Sequence, residues 1–170
     1  MTSDKVDAGD KAPAFELESD TGESVKLKDL LESGAQGKTL VLYFYPKDDT
    51  PGCTREAQAF ADAKRKLSAA GAQVAGVSKD SIKSHCKFRD KYSLNFPLLS
   101  DPELTVHKAY GAYGEKVMYG KKTMGTIRST FVIDPKGKIV RAWRGVKVDG
   151  HIDAVLEAIK SVAQTRAAAK

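Results

Sequence analysis

Cysteine is scarce in this chain: two thiols, Cys53 and Cys86, in 170 residues, too few for the multi-bridge scaffolds of small secreted domains. In a reducing compartment such a pair points to catalysis, redox exchange or metal binding instead. Long hydrophobic runs are missing too. The longest, Leu40 to Tyr45, is far short of the ~20 residues a membrane helix needs. The N-terminal MTSDKVDAGD carries acids where a secretion signal has an apolar segment. A soluble, cytoplasmic protein with no membrane contact is therefore expected. Nor is charge of one sign segregated. The net charge is +6, but Lys and Arg are scattered among acids, and the densest groups, Lys64–Lys66 and Lys121–Lys122, are short. This is a solvated surface with weak anion attraction rather than a nucleic-acid track. The rival reading, a non-catalytic nucleic-acid module, requires DNA affinity that falls steeply with salt.

What the chain does contain is an alternation of strand and helix patterns. LVLYFY (40–45) is β-branched and aromatic, Cys53 to Ala69 has helical composition, and AQVAGVS (72–78) is strand-like again, which makes a βαβ unit. Ser81 to Tyr92 predicts a helix opened by Asp80 or Ser81, and PLLSD a short strand ending in a turn. Residues 102–110 predict a short helix, and GAYGEKVMYGKKTMG (111–125), with its four glycines, a long loop. STFVID and KIVRAW flank PKG as a hairpin, and HIDAVLEAIKSVA closes the pattern with Ile152, Val155, Leu156 and Ile159 on one face. The fold class is α/β: one domain over residues 1–170, a central mixed β-sheet flanked by helices on both faces, with an N-terminal extension (1–8) and a frayed basic tail, TRAAAK (165–170).

The chemistry concentrates where the first strand passes into the first long helix. Cys53 stands at that step, at the carboxyl end of a strand, where open α/β sheets place their sites, and at a helix N-terminus, whose unpaired amides carry about half a positive charge. Cysteines in such places ionise well below the ~8.5 of the free thiol. A drop of ~2.5 pH units requires ~3.4 kcal/mol, more than a helix end alone supplies, so a second cation or donor is expected. Elsewhere the signals are weak. His85, Cys86, His107 and His151 lack the paired spacings of zinc ligands. GEKVMYGKK fails the phosphate-loop pattern, while Phe88, Tyr92 and Trp143 read as packing. Neither a metal nor a cofactor is implied.

PKDDTPGC (46–53) resembles the PxxxTxxC signature of peroxiredoxins, and YPKDDTPGCTREAQAF is similar to the bacterioferritin-comigratory, or Q-type, subfamily. The likeness extends through GDKAPAFEL, GVSKDSIKSH, FPLLSDPE, YGAYGEK and RSTFVIDPKGKI. It implies a thioredoxin-like fold and a monomeric, cofactor-free, thiol-dependent peroxidase for hydrogen peroxide and organic hydroperoxides, recycled by thioredoxin or a similar thiol donor. Carried over position by position, Cys53 is the peroxidatic cysteine, Thr50 shares its hydroxyl hydrogen bond with thiolate and peroxide, and Pro46, with Pro51, shapes and dries the pocket. Arg128 is the missing cation, and Glu56 the acid that holds it. A dithiol oxidoreductase of the thioredoxin kind would need a second cysteine where Glu56 stands.

Cys86 departs from the pattern. Many Q-type members carry a resolving cysteine at the place taken here by Gln58; others carry it on the later helix, at the place of Arg89, one turn after Cys86. Cys86 is thus a candidate resolving cysteine that reaches Cys53 only after local unwinding, since a disulfide needs Cα atoms within about 7 Å. The alternative is a one-cysteine enzyme served by an external thiol.

Overall fold

The computed structural model describes residues 6–32, 38–118 and 120–168. The apolar run forms β3 (Thr39–Phe44), buried at every residue. A strand covered on both faces gains nothing from polar alternation, which is why LVLYFY is uninterrupted. Val41, Tyr43 and Tyr45 enter one core, and Leu40, Leu42 and Phe44 the other.

β3 lies inside a seven-stranded sheet. From one edge the order is β2 (Ser24–Lys26), β1 (Glu16–Ser19), β5 (Leu98–Ser100), β4 (Ala72–Ser78), β3, β8 (Ser129–Ile133) and β9 (Ile139–Arg144). β3, β4 and β5 run parallel, and every other pairing is antiparallel. The first core is closed by α2 (Pro51–Asp62), α3 (Lys64–Ala69), α4 (Ile82–Tyr92) and α6 (His151–Ala168). The second is closed by α1 (Leu27–Leu31) and α5 (Thr105–Ala109). Tyr43 and Phe60 of α2 stack with centroids 4.7 Å apart, fixing α2 over the strand that feeds it. The mixed sheet with helices on both faces is the expected architecture.

Several elements differ from the sequence expectation. The helix foreseen over Cys53–Ala69 starts earlier, at Pro51, and is broken at Ala63 (φ −85°, ψ 0°) into α2 and α3. The loop foreseen over 111–125 is a hairpin, β6 (Tyr113–Met118) and β7 (Lys121–Thr126), forming its own two-stranded sheet. Its pairing is made by main-chain bonds with much of β7 exposed, so no apolar alternation marked it. β1, β2 and α1 had no assignment in the sequence. Ser81 is the cap of α4, its hydroxyl accepting from Ser84 N at 3.1 Å. α6 continues to Ala168, into the segment expected as a tail, while 169–170, and 1–5 of the expected extension, lie outside the described residues. Among the described residues no helix is long and apolar enough to cross a membrane.

Candidate active site

The step from β3 into α2 is built by two residue types. Thr50 precedes a proline, which excludes it from helical geometry, and it is extended at φ −102°, ψ 154°. Pro51, preset for the first helical position, starts the helix. Cys53 therefore falls in the first turn, before any intrahelical bond but Thr54 N to Thr50 O at 2.8 Å. The amides of Gly52 and Cys53 are among the first of the helix, at its positive end, where no preceding helical turn accepts from them.

The second cation is Arg128, from the segment between β7 and β8. Its Nη2 donates to Cys53 Sγ at 3.2 Å, and its Nη1 to Glu56 Oε1 at 2.6 Å. Glu56 lies one turn after Cys53, on the same helical face; each is 1% exposed. Gly52 makes room for the arrangement, since a Cβ there would sit 3.2 Å from Arg128 Nη2. Burial works against the charge of Arg128, but Glu56 and Cys53 outweigh it and hold the guanidinium above its ordinary value. For Glu56 burial wins over Arg128, and its carboxyl is pushed up from 4.5 to about 7. One end of the pair thus stays charged while the other is poised to take a proton near neutrality. Behind them, Glu56 Oε2 and Tyr43 Oη are buried without a hydrogen-bond partner among the described residues.

Pro46, Thr50, Cys53 and Arg128 meet in the wall of one cavity of about 570 Å³. Thr50 differs from expectation in detail. Its hydroxyl donates to Lys47 O at 2.8 Å, not to the sulfur, because Asp49, at φ 58°, turns the loop so that this carbonyl meets it. What the hydroxyl has left to offer the cavity is acceptor capacity. Pro51 is not in the wall; its part is to start the helix. Lys116 and Ile127, from the hairpin and the segment after it, complete the cavity with Val146. The hairpin's glycines had concealed them in the sequence.

The two aspartates inside the motif tie the loop to α4. Asp48 accepts from Tyr45 Oη (2.6 Å) and Ser84 Oγ (2.8 Å) and pairs with His85 Nδ1 at 2.7 Å. The other ring nitrogen of His85 donates to Leu99 O at 3.0 Å. Asp49 accepts from Lys91 Nζ (2.8 Å) and Tyr92 Oη (2.7 Å), bonds that lower its pKa. The signal was in plain view, since both acids belong to PKDDTPGC.

Cys86 is elsewhere. The face of α4 turned to the loop carries His85 and Tyr92, whereas Cys86 Sγ donates to Asp20 O at 3.0 Å, beside the Arg89–Asp20 ion pair at 2.8 Å. Both cysteines are free thiols. Among the described residues no group of three His, Cys, Asp or Glu side chains is arranged to hold a metal ion.

Likenesses to known proteins bear on this geometry. Residues 8–142 match the model described as the AhpC/TSA family. Peroxiredoxin Bcp of Bacillus subtilis is 43% identical over 159 residues, 94% of this chain and 98% of the relative. The solved structure of Xanthomonas campestris peroxiredoxin Q superposes with a TM-score of 0.80 at 45% identity, covering 88% of this chain and 91% of that one. A second structure from that organism, of a bacterioferritin comigratory protein described for its alkyl peroxide reduction activity, superposes with a TM-score of 0.80 at 44% identity, covering 88% and 92%.

Proposed function

Because the chain belongs to the AhpC/TSA family, among its Bcp and Q-type peroxiredoxins with their thioredoxin-like fold, it is a thiol-dependent peroxidase, and we propose that Cys53 is the sulfur that meets the peroxide. The thiolate attacks one peroxide oxygen, the O–O bond breaks with its electron pair on the other oxygen, and the products are a Cys53 sulfenic acid and water or an alcohol. Arg128 and the amides at the start of α2 favour the anion on sulfur and then the charge developing on oxygen. Thr50 accepts from the peroxide's O–H, Pro46 keeps water from the wall, and Glu56 holds the guanidinium in place. The observation that carries this reading is the fork of Arg128, one arm on Cys53 Sγ at 3.2 Å and the other on Glu56 at 2.6 Å.

A thiol condenses with the sulfenic acid to a mixed disulfide, releasing water, and a second thiol regenerates Cys53. Two groups on one reductant such as thioredoxin fit that sequence. An external thiol is favoured over Cys86, whose sulfur is committed to Asp20 O on a different face of α4 from the one that holds the active-site loop. The enzyme works as a cytoplasmic monomer of one domain over residues 1–170, without a cofactor. Cys53→Ser is expected to abolish peroxide consumption, and retained turnover would refute the assignment. Peptide mapping after one equivalent of peroxide, without reductant, tests the rest. A sulfenate trapped at Cys53 with Cys86 still alkylatable is expected; a linkage between Cys53 and Cys86 would make the enzyme a two-cysteine one.

A further inference from the structure

The hairpin brings a second cation to the cavity, Lys116, the last residue of YGAYGEK and one to which the sequence alone assigns no role. Gly114 and Gly125 face each other in register across β6 and β7. A Cβ on Gly114 would meet Ile127 Cδ1 at 3.1 Å, and one on Gly125 would meet Lys116 Cδ at 3.5 Å. Gly114 thus leaves room for Ile127, the stem of Lys116 packs over Gly125, and both side chains reach the cavity that holds Cys53. Lys116 is half-buried and forms no ion pair among the described residues, whereas its neighbour Glu115 is matched by Lys122 at 3.9 Å. Burial and then the charge of Arg128 push its pKa below the ordinary lysine value, with Cys53 acting in the opposite sense.

A half-desolvated ammonium beside a guanidinium, with no carboxylate of its own, is unfavourable unless negative charge comes to it during the reaction. The reaction delivers such a charge. As sulfur attacks, the anion moves from Cys53 to the departing oxygen, which needs a proton to leave as water or an alcohol. Arg128 does not give up protons and is engaged with Glu56. The hydrogen of Thr50 is held by Lys47 O. Lys47 is itself exposed. Glu56, though it can take a proton, lies against Arg128 outside the cavity wall; Lys116, on a flexible four-carbon stem, is the acid that lines it.

Resting on the assignment of Cys53 as the attacking sulfur, we propose that Lys116 is the general acid of the peroxidase step, protonating the leaving oxygen. The sulfur lone pair forms the S–O bond, and the O–O pair passes to the leaving oxygen. Nζ–H gives that oxygen its proton, and the neutral amine is reprotonated by water after product departs. The peroxide's own hydrogen stays on the oxygen now bound to sulfur, so the products are sulfenic acid and water or alcohol.

The test is the leaving group. Single-turnover oxidation of Cys53 is followed with hydrogen peroxide, tert-butyl hydroperoxide and peracetic acid in wild type, Lys116→Met and Lys116→Arg. Hydroxide and tert-butoxide depart poorly without a proton, whereas acetate departs as a stable anion at neutral pH. Lys116→Met is expected to lose about a hundredfold on the first two oxidants and far less on peracetic acid, where only the effect of its charge on Cys53 is removed and whose reaction also reports an intact Cys53 site. Lys116→Arg, which keeps the charge without the acidity, is expected to follow the same pattern. Wild-type rates with hydrogen peroxide in Lys116→Met, equal losses on all three oxidants in both variants, or full recovery in Lys116→Arg would each overturn the proposal. Failure of the Cys53 reading would show separately, as turnover in Cys53→Ser.

Discussion

Glu56 gives a measurable pH signature to folding. Its carboxyl is 1% exposed and titrates at about 7 in the folded protein against 4.5 for the free group. The folded state therefore binds this proton more tightly than the unfolded state, so the associated stability is complete below pH 4.5 and is lost as pH rises through 7. At ~1.4 kcal/mol per pH unit the gap corresponds to about 3 kcal/mol. Glu56→Gln removes the titration while keeping the shape and an acceptor for Arg128. Replacing the neutral carboxyl by an amide adds an offset that is nearly independent of pH, since neither the amide nor the guanidinium titrates in this range. The assay is urea unfolding followed by Trp143 fluorescence between pH 4 and 8, in a Cys53→Ser background so that sulfur ionisation does not enter. The stability of Glu56→Gln relative to its parent is expected to rise by about 3 kcal/mol as pH increases across that window, then to level off. A difference constant with pH would refute the claim that burial outweighs Arg128 at this carboxyl.

Arg128→Met removes a charge-assisted bond to sulfur worth ~1.5–3 kcal/mol, and the second-order rate with hydrogen peroxide at pH 7 is expected to fall by roughly ten- to a hundredfold; an unchanged rate removes Arg128 from the chemistry. Gly52→Ala should raise helix propensity by up to ~1 kcal/mol while its Cβ, 3.2 Å from Nη2, displaces the guanidinium; a higher urea midpoint with slower peroxide reduction is expected, and an undiminished rate would contradict it. Gly76→Ala drives a Cβ to 2.9 Å from Tyr43 Cζ inside the core, an overpacking expected to cost ~1–3 kcal/mol in denaturant unfolding. His151 is lowered from 6.5 to about 4 by burial and then by Arg128. Its stabilising contribution is thus complete above pH 6.5 and lost as pH falls through 4, and His151→Gln should flatten that part of the acid-unfolding curve.

Much of this was legible in the residues because burial and backbone chemistry left marks there. A strand covered on both faces wrote itself as LVLYFY, whereas the proline that starts α2 went unread, because the helix was expected only from Cys53. Arg128 and Glu56 entered through the family likeness; charge pattern alone does not distinguish them from surface ions. The hairpin escaped because it is held by main-chain bonds and most of β7 is exposed, so its glycines read as loop. Lys116 escaped with it. The break at Ala63 has neither Gly nor Pro to signal it, and the partner of Thr50's hydroxyl was decided by the turn at Asp49, a conformation that composition does not encode.

The ties between the active-site loop and α4 have a consequence for timing. On the proposed reading of Cys53, a small peroxide reaches a sulfur that is 1% exposed but a protein reductant does not, so repair would wait until the start of α2 opens. That opening strains every bond that Asp48 and Asp49 make to α4. How long an oxidised molecule persists would then be governed by a local unfolding equilibrium rather than by how often the reductant collides with it.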